Sequence, residues 1–352
     1  MKIGIFSKCG HAGGSEFRCA ELANGIARYT NHQAFLLCEG MVHPKVLSTV
    51  DQAVSVRLNV LKIQEKVPIL YEMDVIIVVN TDSNKFTDSD YWQGKTCRHR
   101  CIVDLSRMKT LVFLFNFVIE PAAKLPSLLA HVPDVRIITT NTLFFRSVPA
   151  LDTYREIRHL PRLILASPID PRSVTTHKKP SGRIRIGQYS MPYTNKFNRE
   201  IGTLVARIND RYLGRVSWHF MGMPRQVASL IARYPNVVMR EAFAIPVRDF
   251  LEETDIFLFY PAWDRVEPWA RSVAEALMSG SPVLATAKGG NRDQITPGSN
   301  GYLCRSLEDF VEHLSTMLDQ PEIIRSLGRN ASQYSRFFTT EHVIGELIEF
   351  VR

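Results

Sequence analysis

Glu267 and Glu275, with seven residues between them, are the two side chains whose types and spacing most invite a chemical reading. If the chain between them is helical, a rise of ~1.5 Å per residue sets them roughly 12 Å apart along the axis. That is too far for a close general acid/base pair. It suits two carboxylates that hold opposite ends of one elongated, hydroxyl-bearing ligand. A helix starting near Pro268 would aim unpaired N–H groups at the middle of such a ligand, where phosphate binds well. Gly289 and Gly290 would let backbone come close to it with no Cβ in the way.

These residues need elements to carry them. Ile256 to Tyr260 is a short apolar run ending at Pro261, the pattern of a buried parallel strand. A loop from Ala262 to Pro268 follows. Trp269 to Met278 has helical composition, with Val273, Ala274 and Leu277 on one face and Gly280 as a stop. Ser281 to Thr286 reads as the next strand and ends in the Gly-Gly turn. Strand, loop, helix, strand, loop is the repeat of a doubly wound α/β sheet, whose ligands sit beyond the carboxyl ends of the strands.

The order Glu267, Glu275, Gly280-Ser281-Pro282-Val283 and Gly289-Gly290 resembles the donor half of the retaining family-4 glycosyltransferases (group 1) of the GT-B fold. Asp293 stands where that family often has a glutamate, and Ala270 where it usually has a glycine. The resemblance is specific over 255–304. Elsewhere it concerns order and length. It implies an α/β chain of two Rossmann-like domains facing each other across a cleft, with a carboxyl-terminal helix crossing back to the first domain. Glu267 would orient sugar hydroxyls, Glu275 the ribose, and backbone around Ala270 and Arg271 the diphosphate. The implied donor is a UDP- or GDP-sugar, with no metal and no other cofactor.

The family grips the diphosphate with an arginine and then a lysine after the first strand of its second domain. Here Gly187 is followed by Gln188, and the first basic residue is Lys196, with Arg199 as a helper. Cations there would offset the charge that the leaving diphosphate gains. Many relatives place a histidine at the end of a first-domain strand, where this chain has Asn116. Asparagine can hydrogen-bond a sugar hydroxyl but is no base at neutral pH. Gly10 to Glu16 resembles the family's first loop, so Gly13 and Gly14 fall on the donor side and His11 on the acceptor side.

The 352 residues, 45% of them hydrophobic, suffice for two ordinary cores. The expected boundaries are a first domain over 1–167, a polar, proline-rich linker over 168–182, a second domain over 183–335 and a final helix over 336–352. No apolar run approaches the ~18 residues of a membrane span, and Met1 to Phe6 reads as a strand rather than a signal peptide. Scattered cysteines (9, 19, 38, 97, 101 and 304) fit a reduced, cytoplasmic protein. Residues 1–180 carry 23 Lys/Arg and 16 Asp/Glu (+7), against 20 and 19 (+1) in the remainder. A basic first half suits an anionic partner, such as a phosphorylated acceptor or an anionic membrane face touched peripherally. No helix-turn-helix, zinc finger or RNA-binding signature points to nucleic acid.

Lys2–Phe6, Ala34–Cys38, Val54–Leu58, Val75–Val79, Thr110–Phe115 and Arg136–Thr140 read as first-domain strands. Ser15 is expected to cap the first helix. Asp88-Ser89-Asp90 spells the metal motif of the other large glycosyltransferase fold but enters from no strand, and reads as capping or surface. Cys97, His99 and Cys101 lack the second ligand pair of a zinc site. The reading is a glycosyltransferase that passes a sugar to a hydroxyl of a glycan or lipid-linked acceptor. The alternatives are a nucleotide-sugar epimerase or hydrolase on the same fold, and a non-catalytic GT-B partner subunit.

Overall fold

The computed structural model describes residues 1–7, 14–38, 42–54, 58–62, 67–79, 107–115, 132–150 and 158–352. They divide into two compact units, Met1–Pro168 with Thr340–Arg352, and Ile169–Thr339.

The first unit is built on a parallel sheet of β1 (Lys2–Ser7), β2 (Gln33–Cys38), β3 (Leu58–Lys62), β4 (Val75–Val79), β5 (Thr110–Phe115), β6 (Asp134–Thr139) and β7 (Arg162–Ile164). Its order is β3-β2-β1-β4-β5-β6-β7, so the direction of winding reverses between β1 and β4. Both faces are covered, which explains the continuous apolar runs. Ile3, Ile5, Leu36, Ile77 and Val112 point into one core; Phe6, Phe35, Leu37, Ile76, Val78 and Phe113 point into the other. The helix Gly14–Tyr29 lies on the first of these faces, through Leu22, Ala23 and Ile26. The last helix, Thr340–Val351, completes the same core with Val343, Ile344, Leu347 and Ile348. Its close approach needs Gly25, where a Cβ would stand 2.5 Å from Thr340 Cγ2 and 2.6 Å from Ile344 Cγ1.

Two local expectations are corrected here and one strand is added. Of the strand expected over Val54–Leu58, Leu58 opens β3 and Val54 closes a 3₁₀ turn, Gln52–Val54, while 55–57 lie outside the described residues. The alternation Val54, Val56, Leu58, Val60 runs through both segments, so pattern alone cannot place the start. Pairing decides it, from Ala34 with Leu58 to Cys38 with Lys62. Strand β7, whose short apolar run Leu163–Ala166 follows a basic stretch, is not among the strands expected from the sequence; it pairs with β6. Ser15 sits inside the first helix rather than capping it, since the helix already includes Gly14.

The second unit has a parallel sheet of β8 (Ile184–Tyr189), β9 (Val216–Met221), β10 (Val237–Arg240), β11 (Ile256–Phe259), β12 (Val283–Thr286) and β13 (Gly301–Cys304). Its order is β10-β9-β8-β11-β12-β13, which reverses between β8 and β11. β11, Ile-Phe-Leu-Phe, is buried along its whole length. Each such side chain contributes about 1.5–3 kcal/mol, so this strand is a firm base for the loop that leaves it.

The polar segment after Pro168 is docked on this unit. Ile169 is fully buried and donates its N–H to Phe338 O at 2.9 Å. Lys179 N donates to Glu252 O at 3.0 Å. Lys178 reaches inward, and its Nζ donates to Leu251 O at 2.9 Å and Ser281 Oγ at 2.7 Å. Burial, opposed in part by Asp255, lowers its ammonium pKa to about 8 from 10.5. Between these two values the folded chain loses this proton while the unfolded chain keeps it. Stability from this group therefore rises with pH from about 8 to 10.5. Lys178→Met is expected to remove that rise. Urea midpoints at both ends of the window check it, and an unchanged pH dependence would contradict the assignment.

Candidate functional site: the switch point of the second sheet

β8 and β11 are neighbours, and the loops that leave their carboxyl ends run towards opposite halves of the sheet. A crevice opens where winding reverses in this way. Hydrogen bonds tie the two loops together here. Asn198 N donates to Tyr260 O at 2.8 Å, Ala262 N to Asn195 O at 3.2 Å, and Asn198 Nδ2 to Pro261 O at 3.1 Å. Lys196, in the loop after β8, therefore meets Glu267, in the loop after β11.

Lys196 Nζ donates to Glu267 Oε1 in a tight ion pair. Arg265 donates to the same oxygen at 2.7 Å. The Glu267 side chain is 9% exposed, against 18% for Lys196 and 26% for Arg265. The carboxylate thus lies underneath, with two cations over it.

Glu275 is also buried, on the helix Arg271–Met278. Its Oε2 accepts from the Tyr189 hydroxyl, at the end of β8, and its Oε1 from Arg271 Nε at 2.8 Å, one turn earlier. Burial first, and then the adjoining carboxylate, push the Tyr189 hydroxyl well above the ordinary phenol pKa. Tyr189 therefore stays a donor at all physiological pH and fixes the Glu275 carboxylate. Its ring is held edge-on by Phe250 and Phe257, with centroids 5.3 and 5.4 Å away.

The helix begins at Arg271 rather than near Pro268, and Ala270 is its N-cap residue with no side-chain cap. Glu267 is thus in an irregular loop, and the helical spacing expected between the two glutamates does not apply. The Gly-Gly turn packs against the protein itself. A Cβ on Gly289 would stand 2.2 Å from Glu267 O, and one on Gly290 1.9 Å from Pro268 O. Gly290 N donates to Glu267 O at 2.9 Å. Whatever else these glycines do, they let the turn press against the loop that carries Glu267.

The structure brings Glu267, Lys196, Glu275, Ala270, Arg271, Gly289 and Gly290 together at the β8/β11 end of the sheet. Arg199 lies exposed in the turn after Lys196 and forms no ion pair among the described residues. Gly14 is the first residue of its helix. Gly13, His11 and Asn116 lie outside the described residues, as do Asp88, Asp90, Cys97, His99 and Cys101. Among the described residues there is no cluster suited to a metal ion and no helix long and apolar enough to cross a membrane. Cys19, Cys38 and Cys304 are buried.

Sequence reasoning missed three residues: Arg265, Tyr189 and the part played by Gln188. Gln188 is buried at 2% exposure, and its Nε2 donates to Lys196 O at 3.1 Å. It braces the loop that presents the lysine. An arginine two residues before a glutamate in a loop carries no periodic signal, and only the fold of the loop reveals Arg265.

Residues 243–334 match the family described as glycosyl transferases group 1. A stretch of 79 residues is 34% identical to the trehalose synthase of Pyrococcus horikoshii, covering 22% of this chain and 19% of that protein. The match thus spans about a fifth of that relative's length. Two solved structures resemble nearly the whole chain. Anabaena Alr3699/HepE in complex with UDP-glucose has a TM-score of 0.72 at 15% identity, over 99% of this chain and 98% of that one. A glycosyltransferase from Rickettsia africae ESF-5 has a TM-score of 0.74 at 12% identity, over 99% and 97%. At such identities the likeness concerns the fold. The chain has the GT-B fold, and the segment that carries Arg265, Glu267, Glu275 and the Gly289-Gly290 turn matches the glycosyl transferases group 1 family.

Proposed function

We propose that the protein is a glycosyltransferase that moves a sugar from a UDP- or GDP-sugar to an acceptor hydroxyl, with retention of anomeric configuration. The single observation that carries this is the convergence of Lys196, Arg265, Glu267 and Glu275 at the switch point of the second sheet, the last three of them inside the family-matched segment. Glu267 orients hydroxyls of the donor sugar and Glu275 those of the ribose. Lys196 and the amino end of the Arg271–Met278 helix take the diphosphate charge. That charge grows as the glycosidic C–O bond breaks, so groups fixed around it favour the transition state. The acceptor oxygen bonds to the anomeric carbon, the diphosphate leaves, and the acceptor proton passes to a donor phosphate oxygen. No metal takes part.

The acceptor is a glycan or lipid-linked glycan of the cell envelope, reached from the cytoplasm with peripheral contact to an anionic membrane. The support for this is the +7 balance of residues 1–180. We assign Gly13 and Gly14 to the donor side, His11 to the acceptor side, and Asn116 to a hydrogen bond with the reacting sugar.

A thermal-shift screen of UDP, GDP and their sugars tests the reading. Ligand at a hundredfold excess over Kd stabilises the folded chain by ~2.7 kcal/mol, so at least one of them is expected to raise the melting temperature clearly. If none moves it, the proposal fails. One observation favours a second reading, a non-catalytic subunit that keeps the fold: Gln188, where the family's arginine is expected, is turned into the protein.

A further inference from the structure

We propose that Arg265 is a donor-binding residue, and that with Lys196 it grips the phosphate next to the transferred sugar. The inference rests on the reading of this site as a nucleotide-sugar site and adds a residue to it. Lys196 and Arg265 donate to one and the same oxygen of Glu267. Two positive charges on one carboxylate leave a local excess of one. Like charges this close, partly withdrawn from water, are unfavourable unless something anionic shares them. One negative charge over Glu267, which a phosphate of a bound nucleotide sugar carries, would complete the balance.

Arg265 is also held in place. Its N–H donates to Ala262 O at 2.9 Å, and Ala262 N in turn donates to Asn195 O. Lys288 Nζ pins the carbonyl of Trp263, two residues earlier. The arginine thus sits on a braced loop, with its guanidinium on the accessible side of Glu267. Planar guanidinium is well matched to phosphate oxygens. The pairing with Glu267, at the sugar end, rather than with Glu275, at the ribose end, selects the distal phosphate. The other cations nearby are otherwise engaged, Arg271 on Glu275 and Lys288 on a backbone carbonyl.

Isothermal titration of the full chain with UDP, UMP and GDP, for wild type, Arg265→Gln and Arg265→Lys, tests this. Loss of one charge-assisted contact should weaken nucleoside diphosphate binding roughly 10- to 100-fold. UMP, which lacks the distal phosphate, should lose less than threefold by the same comparison. Arg265→Lys should recover part of the loss. Unchanged UDP and GDP affinity in Arg265→Gln, or an equal loss for UMP, overturns the assignment while leaving the nucleotide site standing. Wild type that binds neither diphosphate overturns both.

Discussion

Glu267→Ala is expected to lower kcat/KM for sugar transfer at least about a hundredfold. A carboxylate that accepts from two sugar hydroxyls makes two charge-assisted bonds of about 1.5–3 kcal/mol each. Their loss in the transition state corresponds to roughly two to four powers of ten in rate. The variant has a second defect. It leaves Lys196 and Arg265 facing each other over a hole, with 18% and 26% of their side chains exposed. Removing one member of a buried ion pair costs more than replacing the whole pair. Release of UDP from UDP-glucose, with and without acceptor, reads the first effect, and urea unfolding the second. Glu267→Gln separates them, because it keeps volume and one acceptor oxygen. Full transfer activity in Glu267→Ala would remove Glu267 from the mechanism. A wild-type chain that neither transfers nor hydrolyses any donor would support the partner-subunit reading.

Gly290→Ala is expected to cost about 1–3 kcal/mol of stability, as overpacking usually does. The added Cβ would stand 1.9 Å from Pro268 O and 2.7 Å from its carbonyl carbon. Both atoms are backbone, so no side-chain rotation relieves the clash. The loop bearing Arg265 and Glu267 must move. For a unit of this size each kcal/mol lowers the melting temperature roughly 2–4 °C, and donor affinity should fall with it. Gly298→Ala is the matched control. There φ is +75° and no atom lies within 4 Å of the added Cβ, so only backbone strain of roughly 1–2 kcal/mol applies. Equal donor affinity in wild type and Gly290→Ala would show that the turn does not position the loop.

Much of the fold was legible because it is written in local periodicity. Apolar runs such as Ile256–Phe259 and Val75–Val79 are strands buried on both faces, and their sequence says so. Failures came where a neighbour decides the outcome. Leu58–Lys62 form β3 where β2 offers their partners, and β7 pairs with β6. The Gly289-Gly290 turn was recognisable as a place that excludes Cβ atoms. Its sequence could not say that the excluding atoms belong to Glu267 and Pro268.

What the sequence by itself determined, then, is the alternation of strands and helices and the Glu267–Glu275 segment with its Gly-Gly turn, since each depends on residues near one another in the chain. Tertiary structure alone decided that Arg265 shares Glu267 with Lys196, that Tyr189 locks Glu275, and that Gln188 braces the lysine's loop. Those partners stand 69, 86 and 8 positions apart, counting Arg265 to Lys196, Tyr189 to Glu275 and Gln188 to Lys196. The physical reason is strand order: β8 and β11 lie side by side although two strands separate them in sequence, and no local pattern encodes which loops that adjacency brings together.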